Sequence, residues 1–156
     1  MRKNVIDMVL ATDMAEHQRI VNLLRQDLFS KLHGKDPGAV DDKALTLMIC
    51  GAIKISDLGH SFADFEVHRR WSKLLEEELF RQGDEERRRN LSISYLMDRS
   101  KPGVTRSQKG FFDYVVRPLA LAWVDCLPAS RPLVDQMESN AARWRTLDVK
   151  DPKIEG

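Results

Sequence analysis

The 156-residue sequence predicts an all-α fold, a helical bundle of about six helices. Three observations carry that reading. Apolar residues recur three and four positions apart through most of the chain, which lays them on one face of a helix. No stretch alternates apolar and polar residues in the manner of a half-buried strand, and no internal repeat is present. The breaks between periodic stretches are clusters of Gly, Pro, Ser and Asp, the residues that start turns and stop helices.

The elements follow in order. Val5, Ile6, Met8, Val9 and Leu10 are dense enough for a buried helix, and Ala11-Thr12-Asp13-Met14 interrupts it because Thr and Asp side chains compete for backbone groups. Ile20, Leu23, Leu24 and Leu28 give a second stripe running towards Leu32. His33 to Gly38 reads as a loop, and Asp41 or Asp42 caps a third helix that carries Leu45, Leu47, Ile49, Ile53 and Ile55. That helix ends at Asp57-Leu58-Gly59-His60-Ser61. A long helix from about Asp64 to Arg89 buries Phe65, Trp71, Leu74, Leu75, Leu79 and Phe80. Its charged end pairs internally, Asp84 with Arg88 and Glu85 with Arg89. Asn90 to Arg106 is a loop that closes over whatever the next helix faces. Phe111, Val115 and Leu119 are the stripe of that helix, and Pro118 bends it. Leu127 to Pro132 is a turn in which Ser130 caps a last helix reaching Leu147, and 148–156 is a frayed tail.

Composition narrows the function classes. There are 25 basic and 24 acidic residues, a balance that points to neither nucleic acid nor an anionic membrane as partner. No apolar run reaches transmembrane length, and the start does not read as a signal peptide. Cys50 and Cys126 stand alone, without a CxxC partner, as buried thiols of a reducing compartment, so the expected location is cytoplasmic.

One stretch carries chemistry. In Ser107-Gln108-Lys109-Gly110-Phe111-Phe112-Asp113-Tyr114, Gln108 precedes Phe111 by three residues, so both point to one helix face. A carboxamide beside an aromatic ring suits a flat heterocycle: the ring stacks, and the amide donates and accepts at its edge. The competing reading is a buried Phe of an ordinary core behind a Gln that merely starts a helix. Asp57 is similarly open, as a helix-ending carboxylate or as a metal ligand.

The 107–114 stretch resembles a signature of the class I 3',5'-cyclic nucleotide phosphodiesterases. Further matches stand in the same order: Val5 to Met14 with His17, Ser56-Asp57-Leu58, Arg70-Trp71, Glu77 to Asp84, and Ser94 with Asp98. The resemblance spans roughly residues 2–147 and only the C-terminal half of that family's catalytic domain, an HD-type helical fold. It implies a partial catalytic domain over 1–147 with a tail at 148–156. It implies a purine pocket with Gln108 and Phe111 on one wall, Leu75 and Leu79 opposite or beside them, and Met14, Leu58, His60 and Leu96 at its borders. It makes Asp57 the one metal ligand of this half. The complete domain would hold divalent ions, Zn and Mg or Mn, and would act on cyclic AMP or cyclic GMP. Hydrolysing the cyclic diester needs an activated water, charge stabilisation at phosphorus and an acid for the 3′-oxygen. The chain has no His-Asp dipeptide and no HxxxH, so most of the metal ligands and the acid histidine belong to the N-terminal half.

Some family positions are altered. Lys54 stands for a histidine, His60 for an asparagine that helps read the base, Ser61 for a proline, Tyr95 for a proline and Lys109 for a valine. Lys54 lies one turn from Asp57 and is positioned to pair with it. His17, His33, His60 and His68 share no close spacing and suggest no metal site of their own; His17 is expected to serve structure and His33 to face solvent. Three readings follow: the C-terminal part of a phosphodiesterase, inactive alone; a non-catalytic helical interaction or nucleotide-binding module derived from that fold; and an independent small hydrolase, which the missing ligands disfavour. Helices that would face the absent half should carry exposed apolar surface.

Overall fold

The computed structural model describes residues 2–34 and 40–147. The expected tail and the centre of the loop after His33 lie outside them. Among the described residues there is no strand, and the helices form six main stretches, with a short 3-10 turn, Gly59–Phe62, between the third and fourth. They are α1 (Arg2–Thr12), α2 (14–33), α3 (Asp42–Asp57), α4 (Phe65–Arg88), α5 (105–126) and α6 (128–146). No helix among these residues is long and apolar enough to cross a membrane.

Local chemistry sets the ends. Asp13 interrupts α1, and its Oδ1 accepts from the Ala15 amide at 2.9 Å. Asp41 caps α3, accepting from the Ala44 amide at 2.8 Å. Ser130 does not cap α6: its hydroxyl donates back to the Leu127 carbonyl at 2.6 Å, and Pro132 opens the helix instead. His33 closes the last turn of α2 and is exposed. Asp84 pairs with Arg87 and Arg99 rather than with Arg88, because Glu85 takes both Arg88 and Arg89.

Helix α5 is the spine. Leu119, Ala122, Trp123 and Cys126 pack into one core with α1, α2 and α3, while Phe112, Val116, Ala120 and Val124 pack into a second with Phe65 and α6. Of the expected stripe Phe111–Val115–Leu119, Leu119 is fully buried, whereas Phe111 and Val115 are only partly buried and their neighbours Phe112 and Val116 take the buried positions. Pro118 sits where α5 changes winding. Residues Phe112–Val116 form a π turn, closed by the Arg117 amide on the Phe112 carbonyl, and a fresh α segment starts at Arg117. Pro118 then occupies a first-turn position, where a missing N–H costs nothing. A second π turn, Leu24–Leu28, faces this segment, and the Cys126 thiol donates to its Leu24 carbonyl at 3.3 Å.

The 90–104 loop does not hang free. It runs back along α4 on a row of carboxylates. Glu86 accepts from the Ser94 amide and hydroxyl at 2.7 and 2.8 Å, Asp84 and Glu77 grip Arg99 at 2.9 and 2.7 Å, and Glu76 accepts from the Thr105 amide at 2.8 Å. Asn90 and Leu96 take positive φ, 56° and 64°. For a leucine that conformation costs on the order of 1–2 kcal/mol.

Two apolar faces remain open. On α1, Val5, Ile6, Val9 and Leu10 are 49–65% exposed. On α4, Val67, Trp71, Leu74 and Leu75 are 37–58% exposed. This is the exposed apolar surface expected of a half-domain. It corrects the expectations that α1 is a buried helix and that Trp71, Leu74 and Leu75 are buried, because nothing in the described residues packs on those faces.

Gly51 in α3 offers a test of the packing. Helix propensity alone says that Gly51→Ala gains about 1 kcal/mol. A Cβ there would stand 2.7 Å from the Trp123 ring and 3.0 Å from Leu24. Overpacking costs about 1–3 kcal/mol, so Gly51→Ala should lower stability in urea melts, opposite in sign to the propensity effect.

Candidate functional site

The site is built around the 59–63 turn between α3 and α4. Asn140 of α6 is fully buried, and its Nδ2 donates to the carbonyls of Ser61 and Ala63 at 3.0 and 2.8 Å. That clamp fixes the turn against α6. His60 then meets His68 of α4, ring nitrogen to ring nitrogen, with Nδ1 to Nδ1 at 3.0 Å. Trp144 of α6 donates its indole N–H to His68 Nε2 at 2.8 Å. His60 also lies nearly parallel to Phe111, 9° between planes and 6.2 Å between centroids. The edge of Phe112 closes on His68 at 5.2 Å.

Gln108 is 1% exposed at the start of α5. Its Nε2 donates to the Val104 carbonyl at 3.1 Å, which fixes which end of the carboxamide is nitrogen. Its Oε1 is buried near His68 without a hydrogen bond of good geometry. Such an under-satisfied acceptor costs about 1–3 kcal/mol.

Burial sets the electrostatics. The His68 pKa is pushed down to about 4 by desolvation and by the neighbouring His60, against a pull upward from the His60 carbonyl and the Gln108 carboxamide. Desolvation also lowers His60, opposed by the nearby Asp57 carboxylate. Both rings are therefore neutral at pH 7. Lys54 is 1% exposed, and its ammonium donates to the carbonyls of Ala11 and Asp13 at 3.0 and 3.2 Å. It ties α3 to the α1–α2 corner instead of pairing with Asp57. Desolvation is also the main reason that its pKa falls. His17 is buried with neither ring nitrogen hydrogen-bonded, and burial together with the Lys54 charge lowers its pKa.

The predicted residues fall into groups. Gln108, Phe111, His60 and, through its charge, Asp57 gather around His68. Leu58 is buried in the first core. Leu75 is exposed and Leu79 half-buried on α4. Met14 is 49% exposed at the α1–α2 corner that Lys54 holds. Leu96 lines a separate cavity of about 540 Å³ with Ser94, Tyr95, Asp98 and Ser107. Gln108 is covered where an open wall was expected. Sequence spacing gives no signal for Trp144, and the eight-residue step from His60 to His68 separates them along the chain, yet the turn folds the two rings into contact. Asp57 is exposed at the end of α3, and among the described residues no group of three His, Cys, Asp or Glu could hold a metal.

With this geometry in hand, comparison with known proteins is specific. The family model for 3'5'-cyclic nucleotide phosphodiesterase matches residues 1–137. The chain belongs to that family. It is 35% identical over 97% of its length to the probable 3',5'-cyclic-AMP phosphodiesterase pde-4 of Caenorhabditis elegans, and 31% identical over its whole length to a 3',5'-cyclic-AMP phosphodiesterase of Drosophila melanogaster, isoform F. It spans about a quarter of those relatives, 23% and 24%. Among solved structures it superposes on LmjPDEB1 in complex with IBMX (TM-score 0.79, 30% identity, 92% of this chain and 42% of that one). It also superposes on the phosphodiesterase domain of Salpingoeca rosetta rhodopsin phosphodiesterase (TM-score 0.81, 25% identity, 92% and 44%).

The histidine pair predicts a pH profile. The folded-state pKa of His68 lies below its ordinary 6.5, so the unfolded chain binds the extra proton first. Stability from this site is complete above pH 6.5 and is lost as pH falls towards 4. Carboxylates such as Glu77, held at about 2 by Arg99 and Arg81, act below that window. Thermal melts from pH 8 to pH 4 should show Tm falling through it, and His68→Phe should flatten that part of the curve.

Proposed function

We propose that this chain supplies the base-binding part of a catalytic site that hydrolyses a 3',5'-cyclic nucleotide, cyclic AMP foremost, to the 5'-nucleotide. One observation carries the reading: the Gln108 carboxamide, oriented by Val104, holds a buried Oε1 without a hydrogen bond of good geometry next to His68, whose partner His60 lies parallel to Phe111. A base that stacks on Phe111 and offers an amino hydrogen to Oε1 removes the cost of that under-satisfied acceptor. Family membership supplies the reaction class, and relatives named as cyclic-AMP phosphodiesterases favour adenine over guanine.

The chain's own part is binding and orientation. Phe111 gives the base a face, Gln108 fixes its edge, and the buried surroundings keep competing water from Oε1. Divalent ions in the complete domain, Zn and Mg or Mn, would activate water and neutralise the phosphate. The described residues do not by themselves make a site for them. Asp57 offers a single carboxylate, and His60 Nδ1 is committed to His68. The proposed partners are accordingly the cyclic nucleotide and an N-terminal half that brings the remaining ligands and the acid.

The purified chain should not turn over cyclic AMP or cyclic GMP with added Zn²⁺ or Mg²⁺. Fused to the N-terminal part of a relative's catalytic domain, it should. In that fusion Gln108→Ala should weaken substrate binding by about 1–3 kcal/mol, and Phe111→Ala at least as much through lost stacking. Asp57→Ala should lower kcat. Robust turnover by the chain alone, abolished by Asp57→Ala, would replace this reading with an independent hydrolase.

A further inference from the structure

The His60–His68–Trp144 cluster is a hydrogen-bond chain with one consistent proton assignment. A neutral imidazole has one donor and one acceptor nitrogen. The Trp144 indole can only donate, so His68 Nε2, 2.8 Å away, is an acceptor. The His68 proton is then on Nδ1. From there it points at His60 Nδ1, 3.0 Å away, so that nitrogen accepts in turn. The His60 proton is left on Nε2. The two rings are 3° from parallel with centroids 5.1 Å apart. With the nitrogens only 3.0 Å apart, they meet edge to edge, as a hydrogen bond requires, and not face to face.

We propose that Trp144 and His68 are positioning residues that lock His60 as an Nε2–H donor towards the nucleotide, so that this site selects a base presenting an unprotonated ring nitrogen. The ligand half of the inference rests on the base-pocket reading above; the tautomer half does not. The ring planes support the ligand half. A base stacked on Phe111 lies parallel to it, and the His60 plane is 9° from that of Phe111. The His60 N–H lies in its own ring plane and is therefore directed along the plane of such a base. An asparagine at this position could turn its amide to donate or accept. His60 cannot reverse while Trp144 holds the other end of the chain. Gln108 Oε1 takes an amino hydrogen, and His60 Nε2–H takes a neighbouring acceptor, which on an adenine is N1 or N7.

The test uses the 156-residue chain at pH 7.5, where both rings are neutral, with ¹⁵N-labelled imidazoles. Long-range ¹H–¹⁵N spectra should show His60 protonated on Nε2 and His68 on Nδ1. Titration with 5'-AMP, 7-deaza-AMP and 1-deaza-AMP should show one deaza analogue binding about tenfold more weakly than AMP. Trp144→Phe should leave His60 in a mixture of tautomers and shrink that difference. Finding the His60 proton on Nδ1 overturns the lock, as does equal binding of all three nucleotides. If the tautomers are as stated and none of the three nucleotides binds, the base-pocket reading falls together with the ligand half, and the hydrogen-bond chain remains. Nucleotide binding with the tautomers reversed does the opposite.

Discussion

The arrangement depends on one side chain reaching across the bundle. Asn140 is fully buried in α6 and spends its amide on two carbonyls of the 59–63 turn. Those carbonyls lie where α3 has ended and α4 has not begun, so no helix partner is available to them. Leaving them unpaired would cost about 1–3 kcal/mol each, which makes the clamp strongly directional. Everything in the candidate site inherits its place from that turn. Asp57 precedes it, His60 is within it, and Phe65 and His68 follow on α4. Gln136 donates to Asn140 Oδ1 at 3.1 Å and so holds the amide with its nitrogen towards the turn.

A second constraint is the winding of α5. A regular helix from Gln108 to Cys126 could not serve both cores and also admit Pro118. The π turn at Phe112–Val116 adds a residue per turn, restarts the helix before the proline and rotates the buried stripe onto Phe112 and Val116. Phe111 is thereby left at the margin of the core, partly exposed and parallel to His60. The local winding that accommodates the proline is what separates a stacking ring, Phe111, from the packing ring next to it, Phe112. An Arg117–Glu138 pair with two hydrogen bonds, at 2.7 and 2.8 Å, ties this segment to α6 and keeps both aromatic positions in register with Trp144.

Much of this was legible in the sequence. The six helices, the Asp41 cap and the exposed apolar faces follow from periodicity, turn residues and the partial resemblance. What failed was side-chain orientation at places where local rules give no answer. A repeat of four cannot announce a π turn, so Phe111 and Val115 read as core positions when Phe112 and Val116 are the buried ones, while Leu119 is buried as expected. Lys54 beside Asp57 reads as an ion pair, but two carbonyls at the α1–α2 corner, those of Ala11 and Asp13, compete successfully for the ammonium. His60 and His68 looked separate because spacing describes a helix, and a turn intervenes. Ser130 matched a cap by type, yet its hydroxyl found a nearer carbonyl.

The division between what the chain completes and what it leaves open follows the same physics. Its polar groups that could address a base are already oriented by partners within the chain: Val104 for Gln108, and Trp144 through His68 for His60. Orientation of this kind needs only neighbours close in the fold, and α4, α5 and α6 supply them. A metal centre needs several charged or imidazole ligands converging on one point, and repulsion makes such a cluster costly to preform without its ion. Asp57 alone at a helix end incurs no such cost, and it stands exposed with its charge felt at His60. The open faces of α1 and α4 complete the contrast. Apolar area that stays wet here forgoes roughly 25 cal/mol per Å² that a covering surface would recover. Leu75 is on one of those faces, seven residues after His68 on α4, so a surface that covers it would pack beside the histidine pair.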